Sequence, residues 1–469
     1  MSYNRIMKKT TVQTSHGNST KQSIRVKHFF DSALKSFSLY DNVRSIPKLT
    51  DGLKPSQRKA LCGTLSRGEN AAELQLERLA SIIASVTDYH HGATSLVSTI
   101  IGMACDKMPG MNNMNLFMPN GQFGSRLTKE AGAGRYIYTQ LSPYFRQLFK
   151  KEDDCILKPL VVDGEEIEPE TYIPLLPLSL VNGASGTGTG HACEIFSYHP
   201  DELRDATLAI LNAKAGAKSK PLKDMALTPF FRGYHGKVQR NQETGQVTTT
   251  GVLKVLNSTT IEITELPLGV YLDSYKDVLN KLEESEFIKT YDDASVEEQF
   301  CFRVTVPRST GVLPMDELLK KFKLIGRGTE NFTLWNPEGT LQKYASPEAV
   351  LEAFVPWRLS MYEVRRQKLI ADTTESVRLQ NETIRFIKFY LANTKVFKET
   401  GKKDLVQLLL SKDFVDYERL MGMPMWNLTK DRIAELEKKL VDLKEYLGTL
   451  KADTANEMYR RELKGFKYA

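Results

Sequence analysis

Six apolar residues, Ile433, Leu436, Leu440, Leu443, Leu447 and Leu450, recur at steps of 3, 4, 3, 4 and 3. A repeat of about 3.5 residues is the seam of a helix that packs lengthwise on another helix. Glu, Lys and Asp fill the positions between. Upstream, Ile370, Val377, Ile384 and Leu391 recur every seven residues, with Asn381 and Lys388 near the positions that would complete a second seam. The stretch 396–430 between the two carries its own Leu, Met and Trp residues. Two solutions fit: a pair of long antiparallel helices with a small globular knob at the far end, or two separate amphipathic core helices. An arm with a knob is more often built for dimerisation or reach than for catalysis.

The preceding chain has a different texture. Residues 26–43 place Val26, Phe29, Phe30, Leu34, Phe37 and Leu39 at loosely helical spacing. Asp51-Gly52 marks a turn, and Pro55 is suited to open a helix. Residues 72–105 read as helices broken at His90-His91-Gly92, and a Met-, Asn- and Gly-rich loop follows to about 126. From 174 to 345 the pattern is mixed: Thr248–Val255 and Thr259–Glu265 alternate as a hairpin around Asn257-Ser258, and Glu298–Val306 is a further strand. The 469 residues suit about three domains. No window approaches the ~18 consecutive apolar residues of a membrane span, and no apolar stretch behind Met1 marks a secretory signal. Five cysteines without a CxxC pair argue against a disulfide framework or zinc ribbon and for a reducing, cytoplasmic setting.

Charge is concentrated at one end. Residues 1–60 hold 12 Lys/Arg against 3 Asp/Glu, a balance of +9, so the net +7 of the chain leaves −2 for the remaining 409 residues. Residues 1–24 read as a solvated polar tail. From Arg44 onward, cations alternate with Ile46, Leu49, Leu53 and Leu61, the pattern of a folded basic surface suited to a polyanion.

Several motifs carry chemistry. Lys54 precedes the helix that Pro55 opens and Arg58 lies one turn in, so both could meet one phosphate. Neighbouring His90 and His91 would point about 100° apart on a helix and have no third ligand near in sequence, which argues against zinc and leaves phosphate binding, proton transfer or a structural role open. Asn120–Arg126 is a Gly-rich turn ending in a cation, and it leads to Ala131-Gly132-Ala133-Gly134-Arg135-Tyr136. A Tyr beside an Arg suits a covalent nucleophile, since guanidinium favours phenolate and clamps phosphate; with 19 tyrosines in the chain, a packing role is the ordinary alternative. Gly186-Thr187-Gly188-Thr189-Gly190 lacks the ending of a phosphate-binding P-loop.

Taken together these motifs resemble the DNA breakage-reunion region of the type IIA topoisomerases. The segments RSIPKLTDGLKPSQRK (44–59), YHHG (89–92), PNGQFGSR (119–126), AGAGRYIYTQL (131–141) and LPLSLVNGASGTGTG (176–190) follow that family's order and approximate spacing. TTIEITELP (259–267) and MGMPMWNLTKDRIAELEKKL (421–440) extend the likeness over nearly the whole chain from about residue 25. YHHG and RYIYT are nearer the eukaryotic form than the bacterial gyrase form. The resemblance implies an α+β multidomain fold: a winged-helix DNA-cleavage domain over 25–173, an α/β tower over 174–345, and an antiparallel coiled coil with a helical C-gate over 346–469. It makes Tyr136 the nucleophile on a DNA phosphodiester, leaving the protein on the 5′ phosphate, and Arg135 the neighbour that holds the scissile phosphate. Arg44, Lys54, Arg58 and His91 match positions that bind DNA phosphates or assist at the active site, with Lys59, His90, Arg126 and Thr187 as further DNA contacts.

Two departures from the family matter. Thr187 stands where the family usually has the Ile that wedges between base pairs, so bending is expected to be weaker. The acidic motifs of the metal-binding module and an ATPase domain are not found in the sequence, so Mg²⁺ and ATP are expected on a B-type partner subunit, in an A2B2 heterotetramer dimerised through the C-gate. Split subunits with eukaryote-like motifs suggest a phage-like medium subunit that works in a host cytoplasm, on double-stranded DNA, by relaxation and decatenation rather than negative supercoiling. A tyrosine recombinase is excluded, because none of the seven histidines stands in an HxxR element. The remaining rival is a catalytically silent DNA-binding structural protein of the same fold.

Overall fold

Pro55 sits at the first position of its helix, where its missing N–H costs nothing and its fixed φ is already helical. The computed structural model describes residues 26–214, 222 and 225–468; the basic tail expected over 1–24 lies outside them. In chain order the elements that frame the site are α1 (Lys35–Ser45), which continues a helical run from Val26, then α2 (Pro55–Leu65), the short strand β1 (Leu74–Gln75), α3 (Leu76–Val86) and α4 (Ala93–Ala104). As expected, α3 and α4 are separated at 87–92, where Asp88 and Gly92 take positive φ. β2 (Phe117–Asn120) and β3 (Tyr138–Leu141) pair antiparallel, and β3 also pairs with β1, in the order β1-β3-β2.

β4 (Ala184–Gly188) and β5 (His191–Ile195) form a hairpin. A three-stranded sheet follows from β6 (Lys237–Arg240) and β7 (Gln246–Thr250), joined by a later strand 325–329. β8 (Val252–Asn257) and β9 (Thr260–Glu265) form the expected hairpin, with Asn257 opposite Thr260 so that the turn is Ser258-Thr259. The expected single strand over 248–255 is divided at Gly251, and β7 and β8 enter different sheets. A Cβ at Gly251 would lie 2.3 Å from the Glu265 carbonyl oxygen, so only glycine fits where the chain crosses between them. The β8-β9 sheet is completed by 302–305, within the strand expected over 298–306, and by 290–293. Its inner face buries Ile261, Ile263, Phe302 and Val304 against Tyr275 and Leu279 of the helix 272–284.

The chain divides into two compact units, 359–461 and the remainder. The smaller begins later than the boundary expected at 346, and residues 462–469 belong to the larger unit rather than to the C-terminal helical domain. The reason is local: Arg204 donates to the Phe466 carbonyl (3.3 Å), and the Tyr468 ring stands edge-on to His199.

In the smaller unit the long helices 347–392 and 430–452 run antiparallel, with Arg366 donating to the Leu450 carbonyl, Gln380 to that of Leu436, and Lys388 paired with Glu437. Ile384 and Ile387 bury against Leu436 and Leu440. Ile387 thus supplies the seam position near which Lys388 falls, while Asn381 and Lys388 face solvent. Short helices over 394–421 gather around Phe386, Leu409, Phe414 and Leu420.

Candidate nucleic-acid cleavage site

Helix α1 organises the first half of the site. Along its C-terminal turns, Asn42 donates to the Thr189 carbonyl (3.1 Å), the Thr189 hydroxyl donates to Asp41 (2.7 Å), and Trp335 donates to the Asn42 carbonyl (3.1 Å). These bonds seat the β4-β5 hairpin directly on the helix. A Cβ at Gly186 would stand 2.0 Å from the Ser45 carbonyl oxygen, and one at Gly188 would stand 2.3 Å from Asn42 Oδ1. Side chains alternate across a strand, so glycines at 186 and 188 flatten the face against the helix. Thr187, between them, is exposed.

Lys54 reaches the same hairpin, its Cε 3.4 Å from where a Gly186 Cβ would be. Burial lowers the pKa of its ammonium, while Cys193 and Glu194 on β5 oppose that shift. Arg44 is exposed, one helical turn beyond Tyr40. The Tyr40 hydroxyl lies 3.1 Å from His91 Nε2, and the Tyr89 ring meets the His91 ring edge-on with centroids 5.5 Å apart. Partial burial lowers the imidazole pKa, and Arg44, His90 and Lys59 add to the shift. Arg44, Lys54, His91 and Thr187 are therefore carried on or against one helix.

The second half is the loop before β3. The Gly134 carbonyl accepts from Glu77 N (3.2 Å), the Arg135 carbonyl from the Gln75 side chain (2.6 Å), and Tyr136 N donates to the Ala133 carbonyl (2.8 Å). Gly134 lies so close to α3 and α4 that a Cβ would be 3.1 Å from Glu77 Cγ and 3.2 Å from Val97 Cγ1. Ile137 is buried in the core. With 134 and 137 held inward, the two residues between project: Tyr136 is 75% exposed, and Arg135 extends over α3 with the Glu77 carboxylate 3.8 Å away. The Tyr136 hydroxyl has no protein partner among the described residues, so it is free to meet an incoming group.

Three cations expected to contact DNA point elsewhere. Arg58 turns inward, with Nε 3.3 Å from the fully buried Asp51 carboxylate and Nη1 donating to the Leu53 carbonyl. It braces the 51–54 turn. Lys59 pairs with Glu168 at 2.8 Å and donates to the Thr87 carbonyl. Arg126 is buried in a bidentate pair with Glu265, under the Phe300 ring at 4.4 Å. In each case a carboxylate exposed by less than 5% takes the cation, since leaving that acid unpaired would be costly. His90 is exposed and pairs with Asp88 at 2.9 Å. Sequence reasoning missed Tyr40, Gln75 and Glu77; none belongs to a short motif, and each matters through a contact with a distant segment.

A sequence model of the A-type subunit of DNA gyrase/topoisomerase IV matches residues 44–464. The chain is similar to the mitochondrial DNA topoisomerase 2 of Dictyostelium discoideum, 32% identical over 99% of this chain and 36% of the relative. It is similar to DNA topoisomerase 2 of Arabidopsis thaliana, 35% identical over 87% of this chain and 28% of the relative. The chain thus spans about a third of the length of these relatives. Its structure resembles the DNA-binding, cleavage and re-ligation domain of Plasmodium falciparum topoisomerase II, with a TM-score of 0.83, 33% identity, and coverage of 92% of this chain and 62% of that one.

Proposed function

Because the chain belongs to the family of DNA gyrase/topoisomerase IV A-type subunits, we propose that it cuts and rejoins duplex DNA with Tyr136 as nucleophile. The observation that carries this reading is the projecting pair Arg135-Tyr136, held outward by the buried positions 134 and 137. The Tyr136 oxygen attacks a backbone phosphorus, the bond from phosphorus to the 3′ oxygen breaks, and the tyrosine stays joined to the 5′ phosphate beside a free 3′ hydroxyl. One phosphate ester replaces another, so the reverse step needs no external energy. Catalysis falls to positioning and charge. Arg135 holds the scissile phosphate, while Arg44, Lys54, His91 and Thr187 line the path of the duplex along α1. Arg58, Lys59 and Arg126 brace that surface from within.

Under this reading, 26–173 act as a winged-helix cleavage domain, the α/β segment to 345 as a tower, and the antiparallel helices as a coiled coil ending in a C-gate that dimerises the chain. No three His, Cys, Asp or Glu side chains come together as a metal-ion set among the described residues. Mg²⁺ and ATP are assigned to a B-type partner, in an A2B2 assembly that relaxes or decatenates DNA in the cytoplasm. No helix of the described residues is long and apolar enough to cross a membrane.

The test is an SDS-quenched reaction of the chain with that partner, Mg²⁺ and supercoiled plasmid. Protein covalently joined to cut DNA is expected with the natural sequence and absent with Tyr136→Phe. Adducts that persist in the Phe variant would move the nucleophile to another residue, Tyr138 first. No adduct from an assembled complex that binds DNA would leave the silent structural protein as the reading.

A further inference from the structure

Tyr40 lies outside every motif that pointed to the site, yet its side chain reaches His91. Its hydroxyl is 3.1 Å from Nε2. The His91 ring is held on another side by the edge of Tyr89, whose own hydroxyl donates to Ser95 at 3.1 Å. Two tyrosines from different segments therefore fix one imidazole that is otherwise open to solvent. Tyr40 and Arg44 are one turn apart on α1, so the same helix that presents the cation also clamps the histidine.

The charged and titratable groups facing His91 are Arg44 from α1, Lys59 from α2 and His90 from its own loop, all of which oppose its protonation. Asp88, the nearby acid, is taken by His90. The Tyr40 hydroxyl can either donate to a bare Nε2 or accept from an Nε2–H, and the first arrangement places the ring proton on Nδ1.

We propose that Tyr40 is a positioning residue for DNA cleavage: its hydroxyl donates to Nε2, fixes His91 as the neutral Nδ1–H tautomer, and turns that N–H outward as a hydrogen-bond donor to a DNA phosphate oxygen. Arg44 supplies charge at this surface, and His91 supplies a directed donor whose orientation Tyr40 sets. The DNA end of this contact rests on the proposed cleavage function; the tautomer and ring orientation do not.

Two readouts separate those parts. In the first, the full chain carries ¹⁵N-labelled histidine, and the ring nitrogens of His91 are read by long-range ¹H–¹⁵N NMR, the signal being assigned with His91→Gln. The natural sequence is expected to show the Nδ1–H tautomer. In Tyr40→Phe the population is expected to move toward Nε2–H and the titration midpoint to rise, because a donor that favoured the neutral ring is gone. An unchanged tautomer and midpoint in Tyr40→Phe would overturn the proposal. In the second, covalent adducts are measured with the partner subunit, Mg²⁺ and supercoiled plasmid. Tyr40→Phe is expected to lower adduct yield about fivefold, the size of one ordinary hydrogen bond, and to have no added effect in a His91→Gln background. An equal loss in both backgrounds would show that Tyr40 acts on its own and would also overturn it. If even the natural sequence forms no adduct while the tautomer shifts as expected, the cleavage function fails and the Tyr40–His91 clamp stands.

Discussion

Replacing Arg126 with Met separates two roles that a basic residue after a Gly-rich turn can have. If Arg126 were a phosphate contact, its loss would leave the fold intact and reduce the slope of log affinity against log salt by about 0.9. The structure gives it other work. Its guanidinium meets both oxygens of Glu265, which is 1% exposed and also accepts from His235 N (3.0 Å) and Leu266 N (2.9 Å). Removing the cation leaves that carboxylate buried and short of its counter-charge, a loss of about 3–5 kcal/mol. The two residues are 139 apart in sequence, so the pair ties the loop after β2 to the end of β9. For a unit of this size such a loss corresponds to a fall in melting temperature of roughly 4–6 °C. Arg126→Met is therefore expected to melt that much lower by circular dichroism, with an unchanged salt slope in DNA binding at a temperature where it is folded. Adding Glu265→Gln should recover much of the loss, since the buried charge is then gone. A variant that melts like the natural sequence but binds DNA with the shallower salt dependence would refute the argument.

Two further outcomes follow from close packing. Gly186→Ala would put a methyl group 2.0 Å from the Ser45 carbonyl oxygen and should lift the β4-β5 hairpin from α1. Cys193, buried on that hairpin with its thiol pushed up to about 12, reports the change: iodoacetamide at pH 8 should label Cys193 in the Ala variant and leave it unlabelled in the natural sequence, and equal protection in both would show that the hairpin accommodates the methyl. In the smaller unit, Ile387→Ala should cost about 2–5 kcal/mol, the range for a fully buried aliphatic side chain. Lys388→Ala should change stability by about 0.5 kcal/mol or less, as for exposed ion pairs. Denaturant titrations of the two variants that gave similar midpoints would contradict the seam drawn through Ile387.

The parts of the fold legible in the sequence are those governed by contacts between near neighbours. Pro55 opens a helix because its own ring dictates it, and the 433–450 repeat makes a seam because every third or fourth residue shares a face; the projection of Arg135-Tyr136 depends instead on Gly134 packing against the distant Glu77 and Val97. Gly251 divides a strand for a reason no local pattern contains, since its constraint is the Glu265 carbonyl oxygen from another strand. The basic residues divide in the same way. Sequence shows that Arg44, Lys54, Arg58, Lys59 and Arg126 are cationic, but not which of them finds a carboxylate. Asp51 lies close enough to Arg58 in sequence for that pairing to have been suspected; Glu168 and Glu265 are 109 and 139 residues from their partners. A buried acid must be compensated where it stands, and an exposed cation need not be. The buried carboxylates therefore decide which cations they take: Arg44 stays exposed, and Lys54 lies half-buried against β5, where burial lowers its pKa while Cys193 and Glu194 oppose the shift. Tyr40 follows the same logic with a neutral group. Nothing near it in sequence singles it out, and its place at the site comes from a loop 51 residues away that α1 holds within reach of its hydroxyl.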